Sequence, residues 1–197
     1  MVVVYQRQER TPNQGAQALQ AVAQVARSGG IIAYPTEAVF GLGCDPGNPE
    51  ALQRLLGLKR RPASKGLILI AAEMAQLQAY IQPLDPDQTG KVMAHWPGPV
   101  TWLVPARAEV SRYLRGSGNR IAVRLTAHPL AAQLCRQFGG ALVSTSANRS
   151  GVAPCRTATC VREVFGDDLD GLLDGEPGGD PRPSRILDLA SGTVLRD

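Results

Sequence analysis

The fold is decided by residues 31–70, which read IIAYPTEAVFGLGCDPGNPEALQRLLGLKRRPASKGLILI. The stretch opens with a β-branched run, 31–34, which stops at Pro35, and it continues through a glycine-rich segment, 41–47. A short predicted helix follows, and a second apolar run, 67–70, closes the unit. Just after the helix come four cations: Lys59, Arg60, Arg61 and Lys65.

The cations that follow the helix have two interpretations. A buried strand that ends in Thr36 and Glu37, next to a cationic fork, would build a pocket for an anion. Alternatively, the same cations would form a solvated helix end that complements the helix dipole. A charge cluster alone does not separate these hypotheses, so both stay open on these residues.

Helix-start signals recur along the chain, each an N-capping residue beside a proline or ahead of an apolar stripe. The first is Thr11, followed by Pro12 and by Gln14 as its reciprocal partner, and we expect this helix to end at Gly29-Gly30. We predict the remaining helices after Asn48, around 77–81, from Asp85 towards Trp96, after Pro129 and after Thr157.

Apolar runs between these helices predict the strands. The run 67–71 is uninterrupted, as expected for a strand covered on both faces, whereas glycine and proline are dense from Gly171 to Pro183. Alternating strands and helices predict one α/β domain over residues 1–197, with a mixed sheet because the last two strands form a hairpin. The predicted strands are 2–5, 31–34, 67–71, 100–104, 121–125, 141–145, 185–189 and 193–196.

The composition predicts an ordinary soluble globular protein, and the cysteines and the N-terminus together favour the reducing cytoplasm. Hydrophobic residues make up 44% and charged residues 19% of the 197 residues. The net charge of +4 permits contact with phosphates or RNA without requiring it. The first ten residues are too polar for a signal sequence, and no run is long enough to span a membrane. The four cysteines are irregularly spaced, so we expect no zinc site, and the chain is large enough not to need a disulfide framework.

Common nucleotide and hydrolase motifs are absent from the sequence. There is no GxxxxGK[ST], and Gly41-Leu42-Gly43 is not completed to GxGxxG, so neither a P-loop nor a dinucleotide fold is supported. No GxSxG elbow occurs. His95 and His128 are isolated from each other and are interpreted as structural.

Three further stretches place polar side chains within or at the ends of strands. Arg124 lies within the apolar run 121–125, where it either points outward from an edge strand or faces a polar cavity. The run 144–148, STSAN, ends a strand, and its simplest interpretation is a turn with an Asx-type hydrogen bond. The third stretch is 183–186, PSRI, which can equally be an ordinary strand entry.

Taken together, these motifs resemble the YrdC/Sua5 family from about residue 15 onward, and the short, single-domain bacterial members in particular. Ile70 stands where many longer members have histidine, so it receives no polar role, and the extra C-terminal domain of those members is not matched. The resemblance implies a YrdC-like open twisted mixed sheet with flanking helices around a deep, positively charged cavity. It is carried in order by PTEAVFGLG at 35–43, Lys59-Arg60-Arg61 (K-x-R), WPGPVT at 96–101, AVR at 122–124, Ser146-Ala147-Asn148 (S-x-N), and SG at 150–151 with Pro154.

The resemblance also implies a reaction. Members condense L-threonine, bicarbonate and ATP to L-threonylcarbamoyladenylate and pyrophosphate, a nucleotidyl transfer. The product feeds the synthesis of N6-threonylcarbamoyladenosine (t6A) at position 37 of tRNA through a threonylcarbamoyl transferase complex. No carboxylate pair suited to a metal is evident, so we expect Mg²⁺ to be carried mainly by the ATP phosphates.

Carried over to this sequence, the resemblance assigns the site residues. L-Threonine is expected to contact Thr36, Arg124, Ser144 and Ser184. The catalytic groups are expected to be Lys59 and Arg61 of the K-x-R motif with Ser146 and Asn148 of the S-x-N motif. ATP is expected to contact the same four residues together with Lys65, Pro154 and Arg196.

Two rival hypotheses accompany the synthase. An RNA-binding module without catalysis would use the basic balance, but aromatic residues are only 5% and no RNP-like or KH-like sequence occurs. A related enzyme that handles a different carbamoyl or acyl adenylate would share the K-x-R and S-x-N motifs. Contact with tRNA or structured RNA is possible under the first rival and under the synthase alike.

Overall fold

Ten strands form one sheet in the computed structural model, which describes residues 3–5, 12–180 and 182–196. Parallel and antiparallel pairs both occur in it, so the predicted mixed sheet is confirmed. In chain order the strands are β1 (Val3–Tyr5), β2 (Ile32–Pro35), β3 (Phe40–Gly43), β4 (Ile68–Ala71), β5 (Val100–Pro105), β6 (Arg120–Leu125), β7 (Leu142–Ser146), β8 (Gly171–Leu173), β9 (Arg185–Asp188) and β10 (Val194–Arg196). Their order across the sheet is β1-β8-β2-β3-β7-β4-β6-β5-β9-β10.

Helices flank the sheet, and three of them begin where the capping signals predict. The Asn48 side chain accepts from the Ala51 amide, Asp85 forms a capping box with Gln88, and Thr157 caps the last helix. The predicted N-cap of the first helix, Thr11, lies outside the described residues. None of the described helices is long and apolar enough to cross a membrane. The helices are α1 (Pro12–Arg27), α2 (Pro49–Leu58), α3 (Pro86–Met93), α4 (Arg112–Arg115), α5 (Pro129–Phe138) and α6 (Ala158–Phe165).

Both faces of the sheet are covered, and β2 shows how one strand serves the two. Ile32 and Tyr34 pack into the apolar cluster that α1 and α5 complete. Ala33 belongs to the opposite cluster, which α2 and α6 complete. Successive side chains of a strand point to opposite faces, so an uninterrupted apolar run is what such a strand requires. Ile70, which received no polar role, is buried in the first of these clusters.

The strand β3 was not predicted, because its glycines made residues 41–47 resemble a loop. In the structure β3 pairs antiparallel with both β2 and β7. A Cβ at Gly43 would lie 2.3 Å from the Val143 carbonyl oxygen and 2.8 Å from Cε1 of Tyr34. The glycine therefore allows close approach of the neighbouring backbone, which a strand propensity does not register.

Two other elements differ from the expectation. The segment that begins at Gly171 starts with a strand, β8, which lies between β1 and β2 and is parallel to both. A three-residue strand gains its stability from these neighbours rather than from its own sequence. The helix predicted around 77–81 is a 3-10 turn at Met74–Leu77, and the short helix α4 was not predicted.

The cysteines also correct the expectation, because Cys155 and Cys160 form a disulfide with their Cα atoms 5.5 Å apart. Cys155 is tied to the end of β7 by a hydrogen bond from its amide to the Ala147 carbonyl. The chain then turns through Thr157 into α6, which returns Cys160 to Cys155. This pairing follows from the turn and has no signature in the spacing. Cys44 and Cys135 are free and buried.

A close contact between two glycines positions the segment that follows α2. Gly66 has φ of 61° and ψ of 179°, a conformation essentially confined to glycine. A Cβ on it would lie 2.5 Å from the Leu114 carbonyl oxygen at the end of α4. Its neighbour Gly116 has φ of 67°, and a Cβ there would lie 2.3 Å from the Ser64 carbonyl oxygen.

We predict that Gly66→Ala lowers the free energy of unfolding by at least about 2 kcal/mol, through backbone strain and overlap with Leu114. The matched control is Gly57→Ala in α2, where a Cβ meets nothing within 4 Å. That substitution should raise the free energy of unfolding by about 0.5–1 kcal/mol, because glycine is a poor helix former. Urea titration of the three proteins measures both effects, and equal stability of the Gly66 variant and the wild type would contradict this account.

Candidate active site

A cavity of about 540 Å³ opens on one face of the sheet. This volume is typical of small-molecule sites, which span roughly 300–1,000 Å³. The cavity lies on the same face of the sheet as α1 and α5. In β7, Leu142, Ser144 and Ser146 point to one face, and Leu142 packs in the α1–α5 cluster whereas the two serines line the cavity. Among the described residues, its lining holds one acidic side chain, Glu37, and these cations: Arg61, Lys65, Arg115, Arg120, Arg124, Arg182 and Arg196.

The structure brings ten of the eleven predicted site residues to this one cavity. They come from five separated parts of the chain: the end of β2, the turn after α2, β6, the segment from β7 onward, and the closing hairpin. The predicted residue that does not line the cavity is Lys59. The ten that do are Thr36, Arg61, Lys65, Arg124, Ser144, Ser146, Asn148, Pro154, Ser184 and Arg196.

The side chains of Thr36 and Ser144 both approach Gly41 in the cavity lining. A Cβ on Gly41 would lie 3.2 Å from Cγ2 of Thr36 and 3.3 Å from Oγ of Ser144. The Thr36 hydroxyl donates to the Val39 carbonyl at 2.7 Å, which fixes its rotamer. The glycine in β3 therefore leaves room for the Thr36 methyl group and the Ser144 hydroxyl, which a side chain at position 41 would crowd.

Arg124 faces the cavity and does not point outward from an edge strand. β6 lies between β4 and β5 inside the sheet, and Arg124 is 6% exposed. Its guanidinium lies 3.1 Å from the Glu37 carboxylate, and both side chains are almost fully buried. Of the two interpretations that the sequence allowed, the structure supports the cavity.

The closing hairpin brings Ser184 and Arg196 together at the cavity. The Ser184 hydroxyl lies 3.0 Å from the Thr101 hydroxyl, and Nη2 of Arg196 donates to the Ser184 carbonyl at 2.6 Å. Although Arg196 as a residue is exposed, partial dehydration of its guanidinium lowers the pKa, as do the charges on Arg124 and Arg61. The guanidinium groups of Arg61, Arg124 and Arg196 thus line the same cavity, and their charges favour the binding of an anion there.

Lys59 lies behind the S-x-N turn. Its ammonium donates to the Asn148 carbonyl at 2.9 Å, to Oδ1 of Asn148 at 3.1 Å and to the Ser146 carbonyl. Burial, followed by the charge on Arg61, lowers the pKa of Lys59 to about 8, while the three oxygen acceptors favour the ammonium form. Lys59 is 5% exposed, so it does not form the solvated helix end that was one of the two interpretations of these cations.

The S-x-N segment is a turn held by its own side chains. The Ser146 hydroxyl donates to Oδ1 of Asn148 at 2.6 Å, and Nδ2 of Asn148 donates to the Val152 carbonyl at 2.6 Å. The turn predicted from the sequence is therefore present and lines the cavity, but its bonds are not those of an Asx turn, since Oδ1 of Asn148 accepts from the side chains of Ser146 and Lys59. The two interpretations of this segment are compatible.

Arg61 takes the opposite direction from Lys59. Its Nε donates to the Gly66 carbonyl at 3.1 Å, and its Nη2 lies 3.4 Å from the Lys65 carbonyl. The residue between them, Arg60, has a positive φ of 49°, so the chain reverses there. This reversal sends one cation into the protein and the other into the cavity.

The sequence did not assign four charged residues of the lining. Arg115, Arg120 and Arg182 lie in segments without a motif, so no signal identified them. Arg120 pairs with Asp188, and Nε of Arg115 donates to the Val110 carbonyl at 2.8 Å. Glu37 lies inside the PTE motif and could have been found there. The part of the chain that the structure describes contains no group of three His, Cys, Asp or Glu residues able to hold a metal ion.

A cationic cavity on one face of a mixed α/β sheet is the architecture of a small-molecule site suited to anions. The chain belongs to the Sua5/YciO/YrdC family, since the model of that family, described as "Telomere recombination", matches residues 24–197.

Relatives of known name are similar over most of their length. The chain is 55% identical over 174 residues to the threonylcarbamoyl-AMP synthase of Nitrosococcus oceani, covering 88% of this chain and 94% of that protein. It is 56% identical over 168 residues to the synthase of the same name from Serratia proteamaculans, covering 84% and 88%.

Solved structures share the fold. The crystal structure of P. abyssi Sua5 complexed with L-threonine superposes with a TM-score of 0.90 at 28% identity, over 99% of this chain and 57% of that one. The chain thus spans little more than half of the P. abyssi protein. E. coli YciO superposes with a TM-score of 0.86 over 100% of this chain and 96% of that one, and at 21% identity it supports the fold alone.

Proposed function

We propose that the protein is a threonylcarbamoyl-AMP synthase, which condenses L-threonine, bicarbonate and ATP to L-threonylcarbamoyladenylate and pyrophosphate. The observation that carries the proposal is the convergence of ten assigned residues on one cationic cavity. The names of the similar bacterial proteins and the L-threonine bound to P. abyssi Sua5 support the same reaction.

The proposed chemistry explains the excess of positive charge. Threonine carbamate and ATP are both anions, so a site that joins them must offset their repulsion with fixed cations. Arg61, Arg124 and Arg196 supply such charges. Attack of the carbamate oxygen on the α-phosphorus, with pyrophosphate leaving in line, then depends mainly on positioning and on neutralising charge.

We divide the cavity lining between the two substrates, and the two parts adjoin where Arg196 contacts Ser184. Thr36, Arg124, Ser144 and Ser184 surround L-threonine, with the guanidinium on its carboxylate. Lys59 acts through the S-x-N turn that it holds, rather than by touching the nucleotide. The nucleotide is contacted by Arg61, Lys65, Ser146, Asn148, Pro154 and Arg196.

The described lining does not fit a protein-held Mg²⁺. Its one acidic side chain, Glu37, already faces Arg124. Mg²⁺ is commonly bound through substrate phosphates, and we propose that it enters with ATP. We also place the enzyme in the cytoplasm, where its product would pass to a threonylcarbamoyl transferase complex for t6A37 synthesis, with or without direct contact to tRNA.

One assay tests the proposed function. Purified protein is incubated with ATP, Mg²⁺, bicarbonate and each amino acid in turn, and pyrophosphate is measured together with the mass of the nucleotide product. We expect pyrophosphate release that requires threonine and a product of the mass of threonylcarbamoyladenylate. Release independent of threonine would contradict the proposal, a different acyl adenylate would favour the related enzyme, and binding of RNA without turnover would favour the binding module.

The amino-acid end of the cavity predicts the order of substrate preference. Threonine and serine differ by one methyl group, and a pocket that accommodates a methyl discriminates by about 1–3 kcal/mol, or roughly 10- to 200-fold. We expect kcat/KM for threonine to exceed that for serine within this range. Valine should be rejected at least as strongly, because it leaves a buried hydroxyl partner unpaired. Equal kcat/KM for serine and threonine would place the methyl group outside the pocket.

A further inference from the structure

The acidic residue of the cavity lining pairs with the arginine assigned to the amino acid. Oε2 of Glu37 lies 3.1 Å from Nη2 of Arg124, and the side chains are 12% and 8% exposed. Glu37 follows β2, whereas Arg124 lies in β6, and three strands separate β2 from β6 in the sheet. The pair therefore joins two parts of the lining that strand pairing does not bring together.

The carboxylate of Glu37 is fixed by its other oxygen. Oε1 accepts from the Thr126 hydroxyl at 2.8 Å and from the Ala127 amide at 3.1 Å. The backbone is fixed as well, since the Asp180 amide donates to the Glu37 carbonyl at 3.1 Å. Two hydrogen bonds to one oxygen set the direction in which the second oxygen points.

The second oxygen is directed at the guanidinium alone. Oε2 of Glu37 exposes less than 1 Å² and forms no hydrogen bond with the described residues, and the same holds for Nε of Arg124. The pair is thus held by charge at short range rather than by an aligned hydrogen bond. A ligand cannot reach Oε2 without displacing the pair, so a direct contact of Oε2 with substrate does not fit this geometry.

Arg124 needs such a partner, because it shares the cavity with other cations. Arg61 and Arg196 line the same cavity, and the Arg124 and Arg61 charges lower the pKa of Arg196, whereas Arg120 is paired with Asp188. A buried guanidinium among other cations is costly unless an anion lies against it. Without Glu37, Arg124 would be expected to turn towards solvent or towards the phosphates of ATP.

We propose that Glu37 is a positioning residue for amino-acid binding: its anchored carboxylate holds the Arg124 guanidinium in the orientation that receives the α-carboxylate of L-threonine. This inference rests on the proposed function, which assigns Arg124 to threonine. Glu37 itself does not touch the substrate. A substitution of Glu37 should therefore change the KM for threonine, and only because it changes the orientation of Arg124.

The first test is Glu37→Gln, which keeps an oxygen for Thr126 and Ala127 and removes the charge that faces Arg124. We expect the KM for threonine to rise by about 10²-fold, as for a buried charge pair that loses one partner. The dissociation constant of ATP, measured by calorimetry without threonine, should change less than about threefold, and this also shows that the variant is folded. The matched control is Glu73→Gln, which removes an ion pair of the same 3.1 Å length to Arg136 at the surface, and it should change neither constant.

The second test is a double-mutant cycle with Arg124→Gln. If Glu37 acts only by positioning Arg124, then adding Glu37→Gln to the Arg124 variant should leave the KM for threonine within about twofold. If the two substitutions instead raised the KM for threonine by independent factors that multiply, the proposal would be overturned. It would also be overturned if Glu37→Gln weakened ATP binding as much as it weakened threonine binding. A wild-type protein that makes no threonine-dependent product would instead overturn the proposed function. Normal wild-type turnover with an unchanged KM in Glu37→Gln would overturn the positioning role alone.

Discussion

Arg61→Ala is expected to lower kcat by about 10²–10³ while lowering the free energy of unfolding by only about 0.5–1.5 kcal/mol, the net contribution of a hydrogen bond. The Arg61 side chain is half-buried at the cavity, and two carbonyls of the neighbouring turn hold it. Removing one preorganised charge that stabilises developing charge costs roughly 2–4 kcal/mol in the transition state, which gives that range of rates. Rates at saturating substrates and urea titration measure the two quantities.

The other cation of the motif should behave differently. Lys59→Ala should also lose most activity, but with a loss of stability of about 1–3 kcal/mol, because it leaves buried carbonyl oxygens unpaired. The matched control is Arg60→Ala, which removes an exposed cation that does not line the cavity and should keep the rate within about twofold. Near-normal turnover in both the Lys59 and the Arg61 variants would show that the two cations hold the structure of the turns and take no part in catalysis.

The difference between Lys59 and Arg61 could not be predicted from the sequence. Two cations separated by one residue look equivalent in a motif, and the spacing says nothing about the positive φ of Arg60 that turns them apart. A non-glycine residue in that conformation has a weak local signal and is stabilised here by its surroundings. Tertiary structure decided which cation faces the ligand.

Helices were predictable because their signals are local. Asn48, Asp85 and Thr157 each mark a helix start through a hydrogen bond that spans only three residues. The strands β3 and β8 were missed for the opposite reason. Gly41 and Gly43 have no side chain to indicate a strand, and their role is to admit Ser144 and the Val143 carbonyl, which lie far away in sequence.

The residues of the site could be predicted from the sequence where the family resemblance assigns them, and the other residues of the lining could not. Ten residues that the family resemblance assigned line one cavity, whereas Arg115 and Arg182 were not assigned and were found only in the structure. The pairing of Glu37 with Arg124 joins residues 87 positions apart in the printed sequence. Such a contact depends on the sheet order, and no pattern of charges along the chain predicts it.

Arg124→Ala is expected to separate the two substrates. If the guanidinium holds the threonine carboxylate, its removal should raise the KM for threonine by about 10²–10³-fold, since a buried charge pair is lost. The KM for ATP should change far less, because the nucleotide is assigned to Arg61 and the S-x-N turn. The variant also leaves the Glu37 carboxylate buried without its partner, so the free energy of unfolding should fall by roughly 3–5 kcal/mol.

The stability loss makes Arg124→Lys the informative companion to Arg124→Ala. Lysine keeps a charge opposite Glu37 but replaces the planar fork, which can hold a carboxylate through two hydrogen bonds, with a single point charge. We therefore expect it to recover much of the stability and little of the affinity for threonine. Steady-state kinetics with each substrate varied in turn, at a temperature where ATP binding shows every variant to be folded, separates the two effects. If both variants raised the KM for ATP more than the KM for threonine, then Arg124 would bind the nucleotide, and the division of the cavity between the two substrates would be wrong.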